Sequence, residues 1–258
     1  MRRLSAALCL TAILALPPSW VLALSSAPLK VVRVALVKPG ARINEAHDDL
    51  RAFNEDMVRE ICQRMTVRCR TRNVRFGNIL PGVVAGHFDL GFGNFLRTPE
   101  RERQVDFSSA LWHSSSRLVG RSEQAADSDL YTLREARLVA VAGSQQLACL
   151  QRLTGERGLV VISAPTMADA FALVRDGKAD FALLPVLGAY ILLVGEPGGS
   201  YRFFGETLVA DGLGGSVHVI MSKRRPKLRQ AVGKAIVGMR RDGSYERLVR
   251  QHFPFSVD

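Results

Sequence analysis

The chain has 258 residues, 47% of them hydrophobic, enough to bury one large core or two smaller ones. Its 35 Lys and Arg outnumber 24 Asp and Glu, giving a net charge of +11. Apart from Lys223-Arg224-Arg225 and Arg240-Arg241 the basic residues are scattered. They form no aromatic-interleaved stripe of the kind that single-strand binders use, so the excess reads as a solvated surface and no nucleic-acid partner is expected.

The chain opens with Met1-Arg2-Arg3 and an apolar run from Leu4 to Leu24, followed by small residues around Ala23 to Ala27. That order reads as a secretory signal peptide over residues 1–25. An uncleaved membrane anchor is the competing reading, since the run is nearly long enough to span; Pro17-Pro18 and the small residues favour cleavage. Cys9 follows Leu8, without the small residue expected before a lipoprotein cysteine. No later stretch is long and apolar enough for a transmembrane helix.

Val31 to Val37 reads as a buried strand, and Phe53, Met57, Ile61 and Met65 recur every four residues as one helical face. Val67 to Arg72 is a second strand. Asn78 to Gly86 reads as a short helix with Pro81 in its first turn and Gly86 as its stop. A third strand, Phe88 to Phe92, is predicted to end in Gly93-Asn94. The β-α-β-α-β order implies a largely parallel sheet with helices on both sides. Thr98-Pro99 then starts a helix, Thr98 as cap and Pro99 at the first helical position, with Arg101 in the first turn. This holds a guanidinium beside free backbone N–H groups, an arrangement suited to a carboxylate.

The same grammar returns downstream. Leu138 to Ala142 and Leu159 to Ile162 read as strands, with Gly143-Ser144 turning into a helix that includes Leu147 and Leu150. Thr166 with Asp169 forms a capping-box pattern opening a helix that stops at Gly177, and Lys178 to Leu184 is the next strand. Gly86-His87-Phe88-Asp89 and Gly177-Lys178-Ala179-Asp180 repeat one plan of glycine, two residues and aspartate before an apolar strand. Ser116 to Gly120 leads from the first lobe to the second, Ser216 to Met221 leads back, and helices from about Pro226 rejoin the first lobe.

Four cysteines are present, and Cys9 falls in the signal. Cys62 and Cys69 bracket a helix end and a strand start, and in an oxidising compartment such neighbours are expected to pair, worth roughly 2–3 kcal/mol. A metal pair is the competing reading, although no His or Cys cluster stands nearby. Cys149 is left as a buried free thiol. The five histidines, at 47, 87, 113, 218 and 252, show no H-x-x-x-H or H-E-x-x-H spacing. There is no G-x-S-x-G elbow, no G-x-x-x-x-G-K loop, and no G-x-G-x-x-G at a strand–helix junction. No catalytic residue, cofactor or metal is therefore expected.

The stretch from Gly86 to Ser109, G-H-F-D-L-G-F-G-N-F-L-R-T-P-E-R-E-R-Q-V-D-F-S-S, resembles the family 3 solute-binding proteins of bacterial ABC transporters, the amino-acid-binding group. Their pattern here is filled by Gly86, Asp89, Thr98, Arg101, Phe107 and Ser108, and the closing R-R-D-G-S-Y-E-R-L-V-R-Q-H-F resembles their final segment. The resemblance implies an α/β two-lobe fold of the type II periplasmic-binding-protein kind, each lobe a mainly parallel sheet flanked by helices. Lobe 1 is expected at 28–118 plus 217–258 and lobe 2 at 119–216. The function implied is capture of a small carboxylate in the interlobe cleft by a monomer in the periplasm, and delivery to an ABC transporter membrane permease.

Residue by residue, the resemblance puts Phe76 where an aromatic stacks on the ligand, with a core aromatic as the competing role. It puts Arg101 where an arginine clamps the carboxylate; the competing role is a surface salt bridge on a helix that also carries Glu100, Glu102 and Arg103. Ser144, Gln145 and Gln146 fall in the second lobe's binding turn after Gly143, where a plain N-cap is the alternative. Gly93 and Asn94 fall where relatives hold the ligand's ammonium. The departures matter as much: Pro185 stands where amino-acid binders usually carry the acid that holds the α-ammonium, and proline offers neither charge nor backbone donor. Leu96 replaces a frequent Ser or Thr. Val37 falls near the position where binders of cationic amino acids place an acid. A carboxylate without an α-amino group, or an amino acid held in an altered way, fits better, with Glu45, Asp48 or Asp49 able to supply a charge. The alternatives are a periplasmic enzyme of the cyclohexadienyl dehydratase type and a ligand-sensing input for a membrane partner.

Overall fold

β1 (Val31–Val37) buries Val32, Val34, Ala35 and Leu36 almost without alternation, the pattern of a parallel strand covered on both faces. It pairs in parallel with β2 (Arg68–Val74) on one side and β3 (Leu90–Leu96) on the other. The computed structural model describes residues 31–38, 48–155 and 157–253. The expected signal peptide, Cys9, Glu45 and the side chains of Asp48 and Asp49 lie outside the described residues.

α1 (Asp48–Arg64) covers one face of this sheet through Phe53, Met57 and Ile61, the predicted stripe. α2 (Phe76–Val84) covers the other face through Ile79 and Val83. α2 starts two residues earlier than predicted because the Asn78 N–H already donates to Arg75 O at 2.9 Å, which makes Phe76 the first helical residue and leaves Pro81 inside the helix. β3 also departs from expectation. Gly93-Asn94 does not end the strand, which runs on to Leu96. The antiparallel β11 (Gly215–Met221) pairs with β3 at Leu90, Gly91, Phe95 and Leu96, and the register shifts between them. Asn94 takes the irregular turn with a left-handed φ of 63°, so a residue pair that reads as a stop acts as a bulge.

α3 (Pro99–Gln104) follows, then the short β4 (Asp106–Phe107) and β5 (His113–Ser114), both antiparallel to β11. The second sheet begins at β6 (Ser116–Arg121). Its order is β10 (Tyr201–Leu208), β6, β9 (Phe181–Pro185), β7 (Arg137–Val141), β8 (Val160–Ala164). β7 runs parallel to β8 and β9, while β6 and β10 join antiparallel. Both sheets therefore have three parallel strands on one side, extended on the other by antiparallel strands. α4 (Gln145–Leu153) and α5 (Met167–Arg175) cover opposite faces of the second sheet. α7 (Pro226–Arg241) and α8 (Ser244–His252) return to the first, where Ile236, Met239, Tyr245 and Val249 share a core with Phe53.

The repeated aspartate has the same job in both halves. Asp89 accepts from Arg33 N at 2.8 Å and from Arg33 Nε and Nη2 at 3.2 and 3.0 Å. Asp180 accepts from Arg137 N at 2.7 Å and from Arg137 Nε and Nη2 at 3.2 and 2.6 Å. Each clamp fastens the amino end of a lobe's first parallel strand to the start of its third.

Cys62 and Cys69 form a disulfide with Cα atoms 6.1 Å apart, tying the last turn of α1 to β2. Cys149 is buried and free, and burial pushes its thiol pKa up. The two longest elements without a sequence forecast are α6 (Val186–Val194) and β10. α6 continues the apolar run of β9 without a break in hydrophobicity, so no period marks the change from strand to helix. β10 is a half-exposed edge strand.

Candidate functional site

A cavity of about 430 Å³ lies where the carboxyl ends of both sheets face each other. Val37 ends β1 and Lys38 follows it, Asn73 is near the end of β2, Gly93, Asn94 and Leu96 lie at the end of β3, Val141 ends β7, and Pro185 ends β9. Ligand sites of α/β sheets occupy this edge because the strand ends and the following helix starts converge there. All seven sequence-proposed contact residues, Phe76, Gly93, Asn94, Arg101, Ser144, Gln145 and Gln146, are in the cavity wall.

Arg101 is set by α3. Thr98 caps the helix by accepting from Arg101 N at 3.3 Å, and Pro99 occupies the first turn. The guanidinium is buried, with the residue 6% exposed, and forms no ion pair among the described residues. The surface salt bridge considered for Arg101 is not formed; Glu102 pairs instead with Arg97. Arg101 Nη1 donates to Leu96 O at 2.9 Å and Nη2 to Gly143 O at 3.0 Å, using two of its five N–H donors. Its charge also lies 5.3 Å from the Phe95 ring centre and 5.9 Å from that of Phe76. Burial lowers its pKa to about 10, with Glu100 opposing the shift, so it stays cationic at neutral pH.

Phe76 stacks on Phe95 with ring centres 4.7 Å apart, and Gly93 fits against both rings. The Asn94 Oδ1 is buried and accepts no hydrogen bond among the described residues. Across the cavity, Ser144 caps α4 by accepting from Leu147 N at 3.0 Å. Gln146 Nε2 donates to Ser116 Oγ at 2.8 Å, and Ser116 Oγ donates to Leu213 O at 2.6 Å. Thr166 caps α5 by accepting from Asp169 N at 3.1 Å, which brings a second helix start to the same wall.

The two halves touch at a pair of glycines. A Cβ on Gly77 would lie 2.9 Å from Ala142 O, and one on Gly143, whose φ is +75°, would lie 2.7 Å from Gly77 Cα. Together with the Arg101–Gly143 bond, this contact joins the starts of α2 and α4. A second bridge is apolar: Ile191 and Leu187 of α6 pack into the core that holds Phe53 and Trp112.

Sequence reasoning missed several wall residues, chiefly Asn54, Trp112, Thr166, Met167 and the α6 pair. Asn54 had a legible signal, as the polar start of the row Asn54, Val58, Cys62 on α1. The described lining includes Lys38, Arg51 and Arg101 but no Asp or Glu. Among the described residues no group of His, Cys, Asp and Glu is placed to hold a metal ion.

Two α/β lobes around a cleft at the strand ends define a periplasmic-binding-protein fold of type II. The chain belongs to the bacterial extracellular solute-binding proteins, family 3, whose model matches residues 38–255. It is 25% identical over 215 residues to the lysine/arginine/ornithine-binding periplasmic protein of Escherichia coli K12, covering 83% of each chain. It is 25% identical over 214 residues to the histidine-binding periplasmic protein of Salmonella typhimurium, covering 82% of each. In fold it is similar to an ancestral arginine-binding protein bound to arginine, with a TM-score of 0.77 at 20% identity over 86% of this chain and 98% of that one. A periplasmic His/Glu/Gln/Arg/opine family-binding protein from Silicibacter pomeroyi in complex with lysine gives a TM-score of 0.71 at 24% identity, over 88% and 99%.

Proposed function

We propose that this protein is a periplasmic solute-binding protein that captures a small carboxylate between its lobes and delivers it to an ABC transporter permease. The observation that carries the reading is the buried Arg101 guanidinium, cationic and without a carboxylate partner among the described residues, in a cavity wall opposite the capped start of α4. Desolvating such a charge is costly unless it is paired, and a ligand carboxylate supplies the pair. Phe76 supports the ligand from one lobe, Ser144 and Gln146 from the other, and closure of the lobes encloses it. The family and the periplasmic relatives support export and a role in binding rather than catalysis. The unit of action is a monomer.

The two curated relatives described above are named for lysine, arginine, ornithine and histidine, and this cavity argues for a different ligand. A lysine or arginine side chain would meet Lys38, Arg51 and Arg101 with no acid among the described lining residues. Pro185, in the wall at the end of β9, gives an α-ammonium no charged acceptor. Losing one charged hydrogen bond costs about 1.5–3 kcal/mol, or roughly ten- to a hundredfold in affinity. The ligand is therefore a carboxylate that lacks a basic side chain and does not depend on an α-ammonium contact.

The test is thermal unfolding of the mature protein against amino acids, keto and hydroxy acids, and dicarboxylates. A ligand at 100 times its Kd adds about 2.7 kcal/mol to stability. Non-amino carboxylates are expected to raise Tm and Arg101→Ala to abolish the rise. Strong shifts by lysine or arginine, or binding that survives Arg101→Ala, would overturn the reading.

A further inference from the structure

We infer that Asn54 is a ligand-reading residue, and that the part of the ligand facing it, distinct from the carboxylate, carries an uncharged hydrogen-bonding group such as an amide or hydroxyl. This rests on the carboxylate reading of Arg101 and extends it to a second element of the cavity wall, α1.

Asn54 lies on α1 in the cavity wall, one turn after Leu50, and is 1% exposed. Neither its Nδ2 nor its Oδ1 has a hydrogen-bond partner among the described residues. Among the described residues it is the one buried side chain with both polar atoms in that condition; the others found have a single such atom. Buried amides are normally satisfied, because removing both the donor and the acceptor from water without return is costly. A core position beside Phe53 and Met57 would be filled more favourably by leucine, so an amide here needs a use beyond packing. A second unpartnered amide oxygen, Asn94 Oδ1, belongs to the same cavity.

The chemistry of the partner follows from the surroundings. An amide both donates and accepts, and so complements another amide or a hydroxyl. Leu50, Trp112, Leu187 and Ile191 make the neighbouring wall apolar. A cationic group brought there would lose its hydration without meeting an acid among the described residues. An anionic group would find Arg51 already bound to Glu55 at 3.0 Å and Lys38 exposed to solvent. A neutral polar group loses least on entry and gains the two bonds that Asn54 offers.

The test is calorimetric titration with carboxylates of matched length whose remote ends are methyl, amide, hydroxyl, carboxylate, amine or guanidine, each with and without an α-amino group. Wild type is expected to favour amide or hydroxyl over methyl by about tenfold, as one or two hydrogen bonds allow. Asn54→Leu is expected to erase that preference while keeping or raising the ligand-free Tm. Asn54→Asp, which places a negative charge at the same point, is expected to shift preference towards amine and guanidine ends by about tenfold. An order of preference unchanged in both variants, with Arg101→Ala still abolishing binding, overturns the role of Asn54 alone. Binding that survives Arg101→Ala, or no carboxylate binding in wild type, overturns the carboxylate reading and this inference with it. If Asn54→Asp does not fold, the Asn54→Leu titration decides.

Discussion

Replacing Gly77 with alanine separates stability from lobe closure. Gly77 is the second residue of α2 and has no need of a left-handed φ, so within its own lobe alanine favours the helix by up to about 1 kcal/mol. Its Cβ would nevertheless lie 2.9 Å from Ala142 O in the other lobe, where ordinary contact begins at 3.4 Å. The lobes must then part there by about half an ångström, since a backbone carbonyl cannot turn aside as a flexible side chain can. That movement carries the 3.0 Å bond from Arg101 Nη2 to Gly143 O towards the limit of hydrogen bonding. Loss of this charged bond costs about 1.5–3 kcal/mol, a ten- to hundredfold fall in affinity. Isothermal titration with the carboxylate found by thermal screening measures the affinity, and a ligand-free melt measures the stability. Gly77→Ala is expected to bind at least about tenfold more weakly with an unchanged or higher ligand-free Tm. Affinity within twofold of wild type would show that the glycine contact does not belong to the binding-competent form.

Two further predictions concern the scaffold. Replacing both Cys62 and Cys69 with serine is expected to lower stability by about 2.5 kcal/mol for so short a loop, read as a lower urea midpoint; an unchanged midpoint would mean that the bridge constrains nothing in the unfolded chain. Burial pushes the Asp89 carboxyl pKa up, but its bonds from Arg33 and Arg225 outweigh that and hold it below the ordinary value; Asp180 behaves likewise through Arg137. A carboxyl whose pKa is lower folded than unfolded contributes stability above the unfolded value, near 3.9, and loses it as pH falls through the folded value. Wild-type Tm is expected to fall below about pH 5, and Asp89→Asn to fall less steeply across that range while starting lower at pH 7. Parallel acid profiles for the two proteins would remove Asp89 from the account.

The lobes were legible because each is built from local signals: apolar strands, capped helices, and a glycine–aspartate repeat before the third strand. The Arg101 end was legible for the same reason, since Thr98, Pro99 and Arg101 are fixed within four residues of chain. What escaped depends on contacts distant in sequence. Gly93-Asn94 reads as a stop, yet pairing with β11, more than a hundred residues on, carries β3 past it. α6 escaped because it is apolar on several sides, with Ile191 serving the first lobe's core while Ala189 and Leu192 serve the second's. Trp112 lies on no periodic segment and becomes a wall residue only when β5 and β11 meet. The Gly77–Gly143 contact unites a helix glycine and a left-handed turn glycine that carry no sequence sign of each other, so only the folded chain shows that they meet.

The paired Asp–Arg clamps sit at the amino ends of the strands, a full strand length from the carboxyl ends that line the cavity. What secures each sheet and the cavity proposed to take the solute are thus carried by opposite ends of the same strands. Evolution and engineering therefore inherit a division of labour. Wall positions such as Asn54, Pro185 and Leu187 can be exchanged one by one while the fastening at Asp89 and Asp180 stays untouched. A chain built in this way can change its diet without being rebuilt.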